Sequence, residues 1–356
     1  MAYISFQPHD YFDTLLYQGN STGRTFTDAQ FQPDWVWIKD RTNARDHMIF
    51  DSVRGATKDI HSNNDDAETT VSDTLTAFTS NGFTLGTDAT SSSALVNGNS
   101  NQYTSWLWKG GGASSSNSNG SITSTVSAST TSGFSIVKYT GTGSNATIGH
   151  GLTTAPQVIF VKKYNTTQAW RCGHVGFGWT HGNNLNNNST PYDSDTYWQD
   201  TAPTTSVFSV GTDTEVNGSG ATHIAYCFSE INGFSKFGKY MGNGNADGTF
   251  VYTGHKPAFV ICKQITTNDN WMAFTNKIGS QTDQTGGHNI HNRLLELNGN
   301  GAEQSAGSGH GLDFCSNGFK VREDNTNLNG NGESYIYYSW AEEPLVSSNG
   351  VPATAG

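Results

Sequence analysis

Three aspartates recur at one place in the sequence. Asp88, Asp213 and Asp324 each stand five residues after a phenylalanine, at the ends of the runs Phe83 to Asp88, Phe208 to Asp213 and Phe319 to Asp324. The third copy continues through Asn325, Asn327, Asn329, Asn331 and Glu333, an oxygen-rich loop of the kind that holds calcium. Asp324, Asn327, Asn329 and Glu333 therefore form a candidate calcium set. The first two copies lack the extra oxygens, and an aspartate at a strand end also caps a turn with its own side chain, so capping is the competing role.

The remaining chemistry-bearing groups are scattered. Lys39, Lys162 and Lys263 also recur, but no acid or base recurs beside them, so they read as lysines that snorkel or pair with an acid rather than as catalytic groups. His288 and His291, and likewise His174 and His181, supply too few ligands for a structural zinc site. No Gly-x-Ser-x-Gly nucleophile motif occurs; the nearest fragments are Gly218 to Gly220 and Gly307 to Gly309, the latter beside His310. Gly141 to Gly143 and Gly242 to Gly244 lead into no helix that could hold a phosphate, and read as turns. A glycosidase pair would have to come from Asp51, Asp59, Asp65, Asp66 and Glu68, or from Asp193, Asp195 and Asp200, with nothing in their spacing to select one.

One segment suits a ligand better. Between Trp179 and Trp198 lie Asn183, Asn184, Asn186, Asn187 and Asn188, followed by Tyr192 and Tyr197. Flat rings beside amides suit a sugar, and equally suit a subunit contact. Trp179, Asn183, Asn186, Tyr192, Tyr197 and Trp198 are thus a candidate ligand or interface loop.

The elements that must carry these residues come in three similar sets. Pro33 to Lys39, Pro156 to Lys162 and Pro257 to Lys263 match, with a ring eight residues past each lysine (His47, Trp170, Trp271) and a glycine sixteen past it (Gly55, Gly178, Gly279). Upstream stand Tyr17-Gln18-Gly19, Tyr139-Thr140-Gly141 and Tyr240-Met241-Gly242. Downstream, each Phe-to-Asp run leads through Asn97-Gly98, Asn217-Gly218 or Asn329-Gly330 into an aromatic strand, which predicts a hairpin three times over. Short runs rich in Val, Ile, Thr, Phe and Tyr between Gly, Asn and Ser clusters predict an all-β chain, built of three homologous antiparallel β-sandwich units, jelly-roll-like, in tandem. The best short helix candidates are 67–78 and 292–297. Cys262 and Cys227 fall within strands and read as small buried hydrophobes.

The expected boundaries are 1–109 for unit one, 133–232 for unit two and 233–344 for unit three. Residues 110–132 form a Gly/Ser/Thr linker, flexible or draped over a surface, and 345–356 a polar tail. Units two and three follow without a spacer, so their mutual orientation should be fixed. With 14% charged residues and a net charge of −11, the chain has few cations to neutralise phosphates, so nucleic acid is not expected as a partner. No run is long and apolar enough for a membrane helix, and the first residues lack a signal peptide's basic and apolar regions. Four cysteines without a CxxC pair imply neither a disulfide framework nor a zinc module. The 9 Trp, 14 Tyr and 19 Phe argue against disorder and place the core in large rings.

The opening Met1 to Pro8, the block Phe31 to Arg41, the segments Phe50 to Gly55, Asn81 to Gly86, Ile148 to Leu152 and Gly233 to Gly238, and the ending Gly350 to Ala355 resemble a family of structural proteins of tailed bacteriophages of marine bacteria, often labelled tail-fibre-like. The likeness runs nearly end to end. It implies a non-enzymatic virion protein, tail-associated or fibre-like, made in the host cytoplasm, and it supplies no catalytic residues and no cofactor. Partners would be other virion proteins, further copies of the chain and a host-surface glycan. A capsid decoration or cement protein is the alternative, and a glycan-binding module a further one.

Overall fold

The computed structural model describes residues 6–88, 95–278, 290–305 and 311–344. The chain is almost entirely antiparallel β, and one strand order occurs three times. In the first stretch a lead strand (Phe12–Gln18) pairs with a closing strand (Gln102–Trp108), which pairs with a central strand (Trp35–Asp40), which pairs with a fourth (Met48–Asp51). The second repeats this with Phe134–Thr140, Thr222–Phe228, Val158–Lys163 and Trp170–His174. The third uses Ser235–Met241, Ser334–Trp340, Phe259–Gln264 and Trp271–Thr275. Lys39, Lys162 and Lys263 occupy equivalent places in the three central strands.

A smaller sheet covers one face of each large one. It pairs Arg24–Phe26 with Gly82–Leu85 in unit one, Ala146–Gly149 with Val207–Val210 in unit two, and Phe250–Tyr252 with Gly318–Val321 in unit three. First with last and second with penultimate is the interleaved pairing of a jelly roll. Because successive side chains of a strand point to opposite faces, each central strand feeds two cores. Val36 and Ile38, Ile159 and Val161, and Val260 and Cys262 enter the three separate sandwich interiors. Trp35 and Trp37, Val158 and Phe160, and Phe259 and Ile261 enter a single core common to all three units. Both faces of the sheet are therefore covered, which explains why the central strands carry no polar alternation.

Three expectations give way. Residues 110–132 are not a loose linker: Ser115–Asn117 and Ser124–Ser129 are strands that extend the large sheet of unit two, with Ser124–Ser129 lying along the lead strand Phe134–Thr140. Val126 alternates with serines and threonines and reaches the interior of unit two, with Ala128 packed against it, so small β-forming residues suffice one strand in from the sheet edge. The helix candidates 67–78 and 292–297 contain strands instead, Thr69–Thr70, Leu75–Thr79 and Arg293–Glu296, and the helical turns found are Asp195–Trp198, Thr214–Asn217 and a 3-10 turn at Pro8–Asp10.

The Asn-Gly pairs are not hairpin turns either. The strands on their two sides lie in different sheets, and each asparagine is a buried crossover latch. The Asn97 amide donates to the carbonyls of Thr22 and Gly86, that of Asn217 to Ser144 and Gly211, and that of Asn329 to Asn245 and Glu323. The repeated tyrosines close the same latch: Tyr17, Tyr139 and Tyr240 donate their hydroxyls to the carbonyls of Val96, Val216 and Leu328, each the residue before the asparagine. The glycine two places after each tyrosine lets the chains touch, since a Cβ on Gly141 would lie 2.4 Å from the Gly218 carbonyl oxygen. Gly141→Ala should therefore lower unfolding free energy in denaturant titrations by about 1–3 kcal/mol. Gly23→Ala, whose Cβ would meet Leu85 O at 3.5 Å, should stay within about 1 kcal/mol of the parent.

Candidate functional site

The residues singled out by repetition assemble where one unit meets the next. Each repeated lysine lies at the end of a central strand with its ammonium turned to backbone carbonyls, one of them on a loop of the neighbouring unit. Lys39 Nζ donates to Asp40 O (2.8 Å), Arg45 O (2.9 Å) and, in unit three, Asn300 O (3.2 Å). Lys162 Nζ donates to Gln168 O and, in unit one, to Asp65 O (3.0 Å). Lys263 Nζ donates to Gln264 O (2.6 Å) and, in unit two, to Asn188 O (3.3 Å). Burial away from water lowers all three ammonium groups from 10.5 to about 8.

The ring eight residues later reaches the same loops. Trp170 Nε1 donates to His61 O (2.6 Å), Trp271 Nε1 to Asn184 O (3.0 Å), and His47 Nε2 to Glu296 O (3.0 Å). The His47 proton is on Nε2 because Nδ1 accepts from the Trp37 indole at 2.8 Å. Between the two accepting carbonyls of each loop sits an asparagine, Asn63, Asn186 or Asn298, whose side-chain oxygen accepts the backbone N–H of His47, Trp170 or Trp271 in its own unit. The contact thus runs from unit one to unit three, from three to two and from two to one. It is a head-to-tail interface that closes after three steps within one chain.

Around the closed axis the large rings stack across every seam. Trp35 meets Tyr226 at 4.6 Å between centroids, Trp106 meets Phe259 at 4.7 Å, and Phe160 meets Tyr338 at 5.7 Å. Their hydroxyls find different partners. Tyr226 donates to Asp51 Oδ2 (2.7 Å), and Tyr338 lies 3.3 Å from the Cys172 sulfur. Asp51 is also paired with Arg54 (2.5 Å), which reaches on to Glu68 (3.2 Å) and Ile49 O (3.0 Å). This buried ion pair is fully hydrogen-bonded, the condition under which buried charge is tolerated.

Several candidate residues have structural duties. Asp88 accepts the N–H groups of Val96 and Asn97, and Asp213 caps the turn Thr214–Asn217 through Glu215 N (2.7 Å). In the candidate calcium set, the only side-chain oxygen of Asn329 already accepts Asn243 N (3.0 Å), and Asn327 N donates to Asn325 Oδ1 (2.9 Å) in an Asx turn. Among the described residues no three His, Cys, Asp or Glu side chains converge on a metal position. Of the aromatic loop, Trp198 and Tyr197 are buried in the interior of unit two with Trp179 packed on them; Tyr192 is exposed, and Arg171 lies over the rings of both Tyr197 and Tyr192. Asn183 is buried and accepts Asn184 N, while Asn186 belongs to the seam. The asparagine stretch of the loop, through the carbonyls of Asn184 and Asn188, thus meets unit three, while its rings belong to unit two. Cys227 and Cys262 are fully buried, and burial raises the Cys262 thiol to about 12. Gly279, His288 and Gly307 to His310 lie outside the described residues.

Of the three loop asparagines the sequence marked only Asn186, within the aromatic loop, and not its counterparts Asn63 and Asn298. Asn63 and Asn186 both stand 24 residues after their lysine, but Asn298 stands 35 after Lys263, so an insertion hides the third copy.

A single chain that closes three jelly-roll units about an aromatic axis defines the structural class. The chain belongs to the family described as a domain of unknown function, DUF7483, whose match spans residues 7–344 and so takes in all three units as one domain. No curated protein and no solved structure matches the chain.

Two measurements probe the site. Lys162→Met strands the carbonyl of Gln168 and leaves that of Asp65 with the Gln168 N–H as its remaining donor, and should cost about 1–3 kcal/mol of unfolding free energy, whereas Lys163→Met at the neighbouring, partly exposed position should cost little. Burial also pulls the imidazoles of His174 and His255 down to about 3 and of His223 to about 4. Their folded values lie below the unfolded 6.5, so their contribution is complete above pH 6.5 and is lost as pH falls towards 3. Asp13, which burial and the neighbouring Glu342 raise to about 7, acts in the opposite sense and is favourable at low pH. Burial raises Glu215 in the same sense as Asp13, and with several histidines against these two carboxyls the melting temperature should drop from pH 6.5 to 4, with a flatter slope in His174→Gln.

Proposed function

We propose that the chain is a non-enzymatic structural protein of a tailed-phage virion, tail-associated or fibre-like, that works by contact with other virion proteins. The observation that carries this reading is the closed ring itself. The titratable groups that recur hold backbone carbonyls or N–H groups, the lysines at all three seams and the aspartates at the turns of units one and two, while Asp324 in unit three is exposed. What is left at the surface is a polar, sparsely charged shell over a rigid frame, suited to assembly.

The sugar-binding alternative loses its platform, because two of the three rings of the aromatic loop that follow its asparagines are buried. Assembly into further homo-oligomers and contact with a host-surface glycan stay within the proposal as secondary partners. Quantitative mass spectrometry of purified particles tests the reading. Roughly tens of copies or fewer per virion are expected for a tail component of closed symmetry. Hundreds of copies would instead identify a capsid decoration protein, and absence from the particle would overturn the virion assignment altogether.

A further inference from the structure

The same groove between the two sheets occurs in each unit, and its treatment differs. In unit two it is filled by the segment 119–129. Ile122 N donates to Thr147 O (3.0 Å) on the outer edge of Ala146–Gly149, Ile122 bridges Ile148 in parallel, and Ser124 Oγ donates to Gly149 O (2.8 Å). The strand Ser124–Ser129 then runs along the lead strand, and Val126 and Ala128 sit against Gly151, which has a left-handed φ of +74°. In unit one Arg24 closes the corresponding place, lying over the rings of Phe26 (4.3 Å) and Tyr17 (5.0 Å).

In unit three nothing among the described residues fills it. Phe250–Tyr252 is the edge strand of its sheet, and Ser235–Met241 the edge of the other. Register places Phe250, Tyr252 and Gly254 where unit two has Thr147, Gly149 and Gly151; Gly254 repeats the left-handed φ, at +78°, and a Cβ there would meet the Tyr252 hydroxyl first, at 3.5 Å. Three large apolar side chains stand exposed at this place, Met241 (61%), Phe250 (45%) and Tyr252 (61%). Lys239 does not block the lead-strand edge, because its counterpart Lys138 pairs with Thr125 in unit two.

We infer that the groove of unit three, from Phe250–Tyr252 to Ser235–Met241, takes an extended segment of another protein by strand addition, with small apolar side chains at alternate positions between serines and threonines. The occupant is a single strand: Gly149 is bare because Asn117 of the outer strand lies against it, and Tyr252 at that place excludes such a second strand. A second copy of the chain is the poorer occupant. Its own strand of this composition is already seated in its unit two, and its tail places Pro352, which has no N–H, where the sequence Asn349-Gly350 would align it with the donor Ile122. This inference does not depend on the virion assignment.

A synthetic peptide with the sequence of residues 119–129 is the probe, titrated calorimetrically into the full chain and followed by amide hydrogen exchange. Binding should protect amides within 235–239 and 250–252. Tyr252→Lys should weaken it at least about tenfold with an unchanged melting temperature, and a peptide carrying aspartate in place of Val126 and Ala128 should not bind. No binding at millimolar peptide, protection elsewhere, or self-association of the unliganded chain that Tyr252→Lys abolishes would each overturn the inference.

Discussion

The structure depends on burying three aromatic sheet faces against one another. Each large sheet carries rings on both sides, and the side not covered by its own small sheet holds Trp35, Trp37, Trp106 and Trp108 in unit one, Phe160, Trp170, Tyr226 and Phe228 in unit two, and Phe259, Trp271, Tyr338 and Trp340 in unit three. A face of this size cannot remain in water, where each large ring forgoes roughly 1.5–3 kcal/mol of burial. Two such faces could cover each other as a dimer of sheets, but three close a prism, and the hydrogen bonds at the seams then fix the angle at which they meet.

Those seam bonds show how a nearly apolar junction acquires direction. Stacked rings alone would tolerate sliding, as dispersion contacts are numerous and weakly oriented. A lysine ammonium and an indole or imidazole N–H, placed alike at each junction and met by a loop that an asparagine pins within its own unit, admit one register. The seams are nevertheless not copies of one another. Glu68 N and Glu303 N cross two of them to Tyr164 O and Arg41 O, whereas Pro191 stands at the third and has no N–H to give. The ion pair of Asp51 and Arg54 occurs at one seam, and His174 and Thr275 hold the place of Asp51 elsewhere.

Much of this organisation was legible in the chain. The Pro-to-Lys blocks marked the central strands because a strand covered on both faces reads as an unbroken apolar run. What misled was local chemistry with two outcomes. Asn-Gly favours a hairpin turn, but the tyrosine and glycine found far upstream at Tyr17-Gln18-Gly19 meet Asn97 in space and turn it into a buried latch. The Ser/Gly-rich composition of 110–132 resembled a tether, since only Ile122, Val126 and Ala128 distinguish a seated segment from a free one, and what seats them is the groove of another element. The aromatic loop of unit two offered the residue types of a sugar site, and nothing in one dimension reveals that Tyr197 and Trp198 turn inward.

The order in which the units leave the ribosome gives the head-to-tail closure a temporal side. Lys39, made early, is satisfied by Asn300, made late, and Trp106 waits for Phe259. Until the carboxyl-terminal third has been synthesised, a folded first third would present a wide indole-lined wall to solvent, an adhesive surface on which two unfinished chains could trade thirds. The unequal seams tell the thirds apart: a foreign third in the wrong position would set a proline, or an unanswered carboxylate, where the native neighbour offers a hydrogen-bond partner.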